Sequence, residues 1–179
     1  FLSRKPDGEG HFRLATDNFL FHSRGSIKVQ DGCNNRCAYC RICLARGRSV
    51  SLPADEAVAR VREIEKAGWP EVVITGVNLG QYRSGPGDFA HLLGRLLAET
   101  ERISIRISSL YPERVDEALL PLLANGRVAP HFHLSVQSGS DRILAAMRRP
   151  YTAQTVRDAV RRLREIKDDP FLACDIIAG

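Results

Sequence analysis

From residue 26 onward, short runs of β-branched and aliphatic residues alternate with longer segments whose apolar positions recur every three or four residues. SIKVQ (26–30) reads as a strand that runs directly into a cysteine-rich loop. A helix is predicted from Pro53, which supplies a preset φ where no amide donor is needed. Val58, Val61 and Ile64 form its apolar face, and Gly68 ends it. EVVITGV (71–77) is nearly continuous in apolar residues, the pattern of a strand covered on both faces. Asp88 is a candidate cap for a helix over 88–99, in which Phe89, Leu92, Leu93, Leu96 and Leu97 keep helical spacing. ISIRISSL (103–110) alternates as a strand does, and Pro112 then leads into a helix from Val115 to Leu123. FHLSVQ (132–137) gives a fourth strand, helices are expected over 141–147 and 152–167, and CDIIAG (174–179) gives a fifth strand.

Strands and helices repeating at this rhythm form βαβ units, hence a parallel sheet or barrel. Five strands suit either a doubly wound sheet or part of a (β/α) barrel. The chemistry-bearing residues fall at the C-terminal ends of strands: the cysteine loop after the first, TGVN after the second, SS after the third, QSGSD after the fourth. Parallel α/β folds build their active sites there. Neither GxGxxG nor a Walker A run follows the first strand, which disfavours the ordinary nucleotide-binding folds.

Composition adds little to this pattern. The 179 residues suffice for one domain with a substantial core, and 44% hydrophobic with 26% charged residues is the balance of a globular protein. No apolar run approaches the ~20 residues of a membrane span. The polar opening FLSRKPDGEGHFRL has no signal-peptide core and is expected to be a linker, over 1–25, from a domain that precedes this one. A cytoplasmic location is therefore expected, where clustered cysteines more often hold metal than form disulfides. The net charge of +5 suits an anionic partner such as RNA but also an ordinary solvated surface.

Chemistry concentrates in DGCNNRCAYCRIC (31–43), which holds four of the five cysteines. Zinc commonly takes two paired units far apart in sequence, and four thiols in one short window crowd a tetrahedral site without forbidding it. Redox pairs can be drawn as Cys37–Cys40 or Cys40–Cys43, without the flanking Trp or Pro of a thioredoxin-like motif. An iron–sulfur cluster is well served by a short cysteine run in a loop, and three thiolates leave one iron open to substrate or cofactor. The residues alone leave all three chemistries standing.

Cys33, Cys37 and Cys40 in C-x3-C-x2-C, with Tyr39 before the third, resemble the radical S-adenosylmethionine enzymes. QDGCNNRCAYC, ARG (45–47), TGVNLG (75–80), RISS (106–109), HLSVQSGSD (133–141) and DIIAG (175–179) together resemble the methylthiotransferases of that family. Within it they are closest to the branch acting on N6-threonylcarbamoyladenosine at position 37 of tRNA. The resemblance runs from about residue 26 to 179 and implies a partial (β/α) barrel of the radical SAM type, α/β with parallel strands, truncated after about five strands. It further implies a [4Fe–4S] cluster on Cys33, Cys37 and Cys40 whose open iron chelates S-adenosylmethionine. One electron from the cluster then yields a 5′-deoxyadenosyl radical. Tyr39, Gly76, Asn78, Gln137, Ser138 and Ser140 become candidate cofactor contacts, Gly76 because its missing side chain permits a close approach. For Gln137, Ser138 and Ser140, turn and cap chemistry explains the residue types equally well.

The implied partners are tRNA and an electron donor such as flavodoxin or ferredoxin, with no membrane. Methylthiotransferases carry a second cluster on a preceding domain and an RNA-binding module after the barrel, so the present residues are expected to be a fragment that does not complete methylthiolation alone. A non-catalytic zinc- or cluster-bearing RNA-binding module is the alternative. Cys43, Leu44, Val50, Tyr111 and Ser135 depart from residues frequent in the family. Cys43 is expected to point away from the triad, and Cys174 to be a buried, inert thiol. His131 and His133 are expected to be a satisfied structural pair. Arg148 and Arg149, with Arg161, Arg162 and Arg164, could meet tRNA phosphates, and helix-surface solvation explains the latter three as well.

Overall fold

The structure is a computed structural model that describes Phe12 and residues 23–178. The segment 1–25 read as a linker falls largely outside these residues, and Gly25 already opens the first strand. In chain order the elements are β1 (Gly25–Asp31), α1 (Ile42–Ala45), β2 (Val50–Ser51), α2 (Ala54–Lys66), β3 (Glu71–Gly76), α3 (Phe89–Glu99), β4 (Ser104–Ile107), α4 (Leu120–Ala124), β5 (His131–Gln137), α5 (Asp141–Ala146), α6 (Ala153–Ile166) and β6 (Phe171–Ile176).

The strands form a wall in two pieces. One sheet has the order β2-β1-β3-β4, with β2 alone antiparallel; β5 and β6 pair in parallel beside it. The isolated parallel bridges Ile105↔Val128 and Leu110↔Leu134 carry the wall from β4 to β5. The result is an α/β partial barrel, mostly parallel, as expected. The two-residue β2 went unforeseen because so short a strand leaves no alternation to detect.

Helices cover only the convex face of this wall. Val58, Val61 and Ile64 of α2, with Leu92, Leu93 and Leu96 of α3, bury against Ile27, Val72, Ile74 and Ile105. β3 therefore alternates between buried and half-buried positions, which corrects the expectation of cover on both faces. Its concave positions Glu71, Val73 and Thr75 sit level with Ser104, Arg106, Ser26 and Lys28 of the neighbouring strands. Glu71 holds Arg24 and Arg106 there at 2.8 and 2.9 Å. Among the described residues no helix packs on this polar inner wall.

Cap and turn chemistry mostly follows the residue types. Asp88 accepts from His91 N at 3.1 Å, Thr152 and Thr155 form a reciprocal box at the start of α6, and Gly68 takes a φ of +85° just past α2. The expected helix over 115–123 breaks up. Pro121 cannot donate and restricts the residue before it, so a 3-10 turn at Pro112–Arg114 precedes the short α4. The last strand also begins earlier than expected, at Phe171.

Among the described residues β6 pairs with β5 alone, and its apolar side chains are left open: Phe171 is 60% and Ile176 57% exposed. Cys174 is exposed as well, against the expectation of a buried thiol, because nothing described packs over this edge strand.

Candidate functional site

The site grows from the end of β1, where Gln30, Asp31 and Gly32 pin the cysteine loop to the sheet. Gln30 is fully buried. Its Nε2 donates to Gly32 O and Ser49 Oγ at 2.8 Å each, and its Oε1 accepts from Asn78 N at 2.7 Å. One side chain thus ties both ends of the β1–β2 connection to the loop after β3. Asp31 receives Gly32 N at 2.8 Å and pairs with Lys28 and Arg46. Gly32 adopts a φ of +68°, and a β-carbon there would lie 2.1 Å from Arg48 O. Only glycine permits this turn. Further out, Gln81 accepts from Asn34 N at 2.8 Å and donates to Asn35 Oδ1 at 2.9 Å, while Ala38 N donates to Met147 O at 3.1 Å.

These bonds arrange Cys33, Cys37 and Cys40 around one hollow of about 500 Å³ at the C-terminal end of the parallel strands. All three are free thiols, the first two buried and the third half-buried. Donors point at two of the sulfurs: Asn35 N lies 3.4 Å and Asn78 Nδ2 4.0 Å from Cys33 Sγ, and Arg149 Nη1 lies 3.3 Å from Cys37 Sγ. Burial pushes the Cys33 thiol up, partly offset by its two donors, with Cys37 and Cys40 adding to the rise. A positive partner is what would hold such thiols ionised. Arg36, Arg41, Arg48 and Arg148 also border the hollow, making it cationic.

Three soft sulfurs, amide and guanidinium N–H groups aimed at them, and a wide space between them suit an iron–sulfur cluster. Among the described residues no three His, Cys, Asp or Glu side chains converge as they would around a single ion. A cluster spreads its ligands over a larger body, so this donor set fits it better than a tetrahedral zinc site.

The model of the radical SAM superfamily matches residues 27–179. The chain belongs to the radical SAM superfamily. Over 175 residues it is 58% identical to the threonylcarbamoyladenosine tRNA methylthiotransferase MtaB of Treponema pallidum, covering 98% of this chain and 36% of that protein. It is 40% identical over 178 residues to the MtaB of Thermotoga maritima, covering 96% of this chain and 40% of that one. A tRNA-2-methylthio-N(6)-dimethylallyladenosine synthase of Methylibium petroleiphilum is 36% identical over 160 residues, covering 86% and 35%. The chain thus spans between a third and two fifths of the length of these relatives. Among solved structures, the radical S-adenosylmethionine methyltransferase TsrM of Kitasatospora setae, with cobalamin and a [4Fe–4S] cluster bound, superposes with a TM-score of 0.73. It is 17% identical and covers 86% of this chain and 31% of that one, a likeness of fold.

Of the residues expected to contact cluster or cofactor in this radical SAM domain, Cys33, Cys37 and Cys40 all line the one hollow. Cys43, in the single turn of α1, also borders the hollow, contrary to the expectation that it faces away. Asn78 is buried and reaches Cys33. Gly76 lies under Leu79 and Gln30, where a β-carbon would meet Leu79 Cδ2 at 2.7 Å, so its missing side chain serves close packing. Tyr39 is 41% exposed beside the cysteines.

Gln137, Ser138 and Ser140 do not border the hollow in this structure. Gln137 takes a φ of +71° at the end of β5, Ser138 Oγ accepts from Ser140 N at 3.2 Å, and Ser140 precedes α5 without a side-chain cap bond. Turn chemistry therefore falls to Ser138. His133 is satisfied by Ser109 at 3.1 Å and Asp175 at 3.2 Å. His131 departs from the expected satisfied pair: its ring stacks on Phe171, yet buried Nδ1 has no partner, and burial lowers its pKa.

Two functional elements were missed. Gln30 gives no signal, since one polar residue inside a strand is ordinary. Arg149 is from sequence a candidate phosphate contact, but it is buried at 8% exposure and directed at Cys37. Arg161 and Arg162 instead pair with Asp158, Glu165 and Glu117 on the surface. The double Arg before Pro-Tyr could have hinted at the inward turn; nothing in sequence names its target 112 residues away.

Proposed function

We propose that residues 26–179 are the radical-forming core of a tRNA methylthiotransferase acting on N6-threonylcarbamoyladenosine at position 37 of tRNA. The observation that carries this reading is the set of three free thiols around one cationic hollow at the C-terminal end of the parallel strands. The identity of 58% to the Treponema pallidum MtaB, against 36% to the dimethylallyladenosine synthase, supports the threonylcarbamoyl substrate. Because the chain matches about a third of that relative, complete methylthiolation is proposed for a protein of full length. Residues 1–25 then serve as a linker.

In this reading Cys33, Cys37 and Cys40 hold a [4Fe–4S] cluster and S-adenosylmethionine is the cosubstrate. When bound, the cluster supplies the electron that cleaves the cofactor's C–S bond to give a 5′-deoxyadenosyl radical. The chain's residues do the rest. Gln30 and Gly32 fix the thiols relative to the β3 loop, and the buried Asn78 amide directs an N–H at Cys33. Tyr39, Gly76, Asn78, Gln137, Ser138 and Ser140 are proposed to contact S-adenosylmethionine. The rim arginines favour anionic partners, the tRNA backbone and an acidic one-electron carrier such as flavodoxin or ferredoxin. A cytoplasmic location belongs to the same proposal; no helix among the described residues is long and apolar enough to cross a membrane.

Anaerobic reconstitution with iron and sulfide tests it. The expected product is brown and, under a low-potential reductant, converts S-adenosylmethionine to 5′-deoxyadenosine and methionine. Stoichiometric zinc with no uptake of iron would sink the proposal in favour of a non-catalytic zinc module.

A further inference from the structure

Arg149 is the most confined cation in the described structure, and its setting begins with its neighbours in sequence. α5 ends in a left-handed turn, with Arg148 at a φ of +58°. Arg148 N donates to Ala145 O and Arg149 N to Leu144 O, both at 2.9 Å, the paired bonds of a helix end that ordinarily uses glycine. Pro150 follows and restrains Arg149 to extended backbone. The turn redirects consecutive arginines: Arg148 to the hollow's border, Arg149 inward beneath it.

The Arg149 guanidinium fills a built slot. Its centre lies 4.8 Å from the Tyr111 ring centroid and 5.0 Å from that of Tyr151, and the two rings meet edge to face. Nε donates to Tyr151 Oη at 2.6 Å, Nη2 to Ser135 O at 2.9 Å, and Nη1 to Tyr111 Oη at 3.4 Å and Cys37 Sγ at 3.3 Å. Tyr151 in turn donates to Ser135 O and, at 3.1 Å, to Val136 O. Of the positions that depart from the family's frequent residues, Tyr111 enters this slot through its side chain, while Ser135 supplies only its backbone carbonyl.

Every one of these hydrogen-bond partners is uncharged as a protein group except the sulfur, which becomes anionic when it binds metal. Among the described residues Arg149 makes no ion pair. Glu113 is nearby, but burial raises its pKa and its Oε2 has no hydrogen-bond partner. A desolvated cation held only by dipoles and rings is costly unless an anion completes the arrangement. Three thiolates on an iron–sulfur core supply that anion.

We propose that Arg149 is a positioning and potential-setting residue of the cluster: its charge and its N–H···S bond to Cys37 stabilise the reduced cluster over the oxidised one. This inference rests on the cluster reading of the preceding subsection. Reduction adds one electron, and therefore one negative charge, to the cluster; a fixed cation beside the sulfur favours that state, and hydrogen bonds to ligand sulfur act in the same direction. The tyrosines and Ser135 keep the guanidinium aimed, so the effect does not depend on a mobile surface charge.

The test is a one-electron redox titration of the anaerobically reconstituted chain, followed by electron paramagnetic resonance with titanium(III) citrate as the reductant. Iron and sulfide content of the unaltered chain is measured first, and absence of a cluster there refutes the cluster reading itself rather than the role of Arg149. Arg149→Met removes both charge and donor. It is expected to lower the reduced-to-oxidised ratio at fixed potential at least tenfold, a shift of about 59 mV to more negative values for a one-electron couple. Arg149→Gln, which keeps a donor without the charge, is expected to shift in the same direction. Arg149→Lys, which keeps the charge, is expected to recover part of the loss. Iron loss in Arg149→Met or Arg149→Gln with native circular dichroism also supports the proposal, because the anion then lacks its cation. A full cluster at the unaltered potential in Arg149→Met overturns it. Loss of native circular dichroism in all three variants overturns it too, since Arg149 would then be a structural residue only.

Discussion

Replacing Gly32 by alanine strikes the point where the first strand hands the chain to the cysteine loop. The backbone there has a φ of +68°, a region that costs an L-residue about 1–2 kcal/mol. The added β-carbon would sit 2.1 Å from Arg48 O, 2.7 Å from Arg48 C and 2.9 Å from Gly47 O. All three are backbone atoms, so no side chain can rotate away and the 47–48 segment itself must move. Overpacking of this kind costs about 1–3 kcal/mol more. Restricting the unfolded chain returns about 0.4–1 kcal/mol. The net expectation is a destabilisation of about 1–4.6 kcal/mol, which lowers the melting temperature by on the order of 10 °C for a chain of this size. Displacing residues 47–48 also pulls on Cys33, whose N–H bonds Gly47 O at 3.1 Å, so iron uptake should fall along with stability. Thermal unfolding by circular dichroism and iron analysis after reconstitution read the two effects. A Gly32→Ala chain that melts within 2 °C of the original and takes up the same iron would refute the claim that this turn requires glycine.

Two stability predictions are independent of the thiols. Glu65 accepts from Glu101 N, Arg102 N and Ile103 N at 3.0, 2.7 and 2.9 Å; burial alone would raise its carboxyl, but these bonds hold it below its ordinary value of 4.5. A carboxyl depressed in the folded state stabilises above its unfolded pKa, and the contribution fades as pH falls through the folded value. Glu65→Gln should therefore cost about 1 kcal/mol at neutral pH and progressively less as the pH drops below 4.5 in urea titrations; a pH-independent difference would contradict it. Tyr82 is fully buried and donates to Leu52 O at 2.8 Å, so Tyr82→Phe leaves that carbonyl unpaired. The expected loss is about 1–2 kcal/mol by urea denaturation, and no change in midpoint would show that the carbonyl is otherwise satisfied.

What could be read from the sequence depended on how local the cause was. The periodicity of Leu92, Leu93 and Leu96 is a property of one helix, and the spacing of Cys33, Cys37 and Cys40 is a property of one loop; both survive in the structure. The helix expected at 115–123 is shortened to Leu120–Ala124 because Pro121, with its ring and missing donor, fits only the first turn of α4. Cys174 was misread because an apolar strand predicts burial only if something covers it, and cover is a tertiary fact. The polar concave wall was hidden for a related reason: Val73 and Thr75 look like any strand residues until one knows that helices lie on one side only. Arg149 was the least legible, since its role needs Tyr111, Ser135, Tyr151 and Cys37 to converge from distant segments.

Which thiols hold the metal is measured by Mössbauer spectroscopy of the chain reconstituted anaerobically with ⁵⁷Fe. The expected spectrum is that of a four-iron cluster in the original chain and in Cys43→Ser, and its loss in Cys37→Ser. A cluster that survives Cys37→Ser but disappears in Cys43→Ser would contradict the three-thiol site formed by Cys33, Cys37 and Cys40.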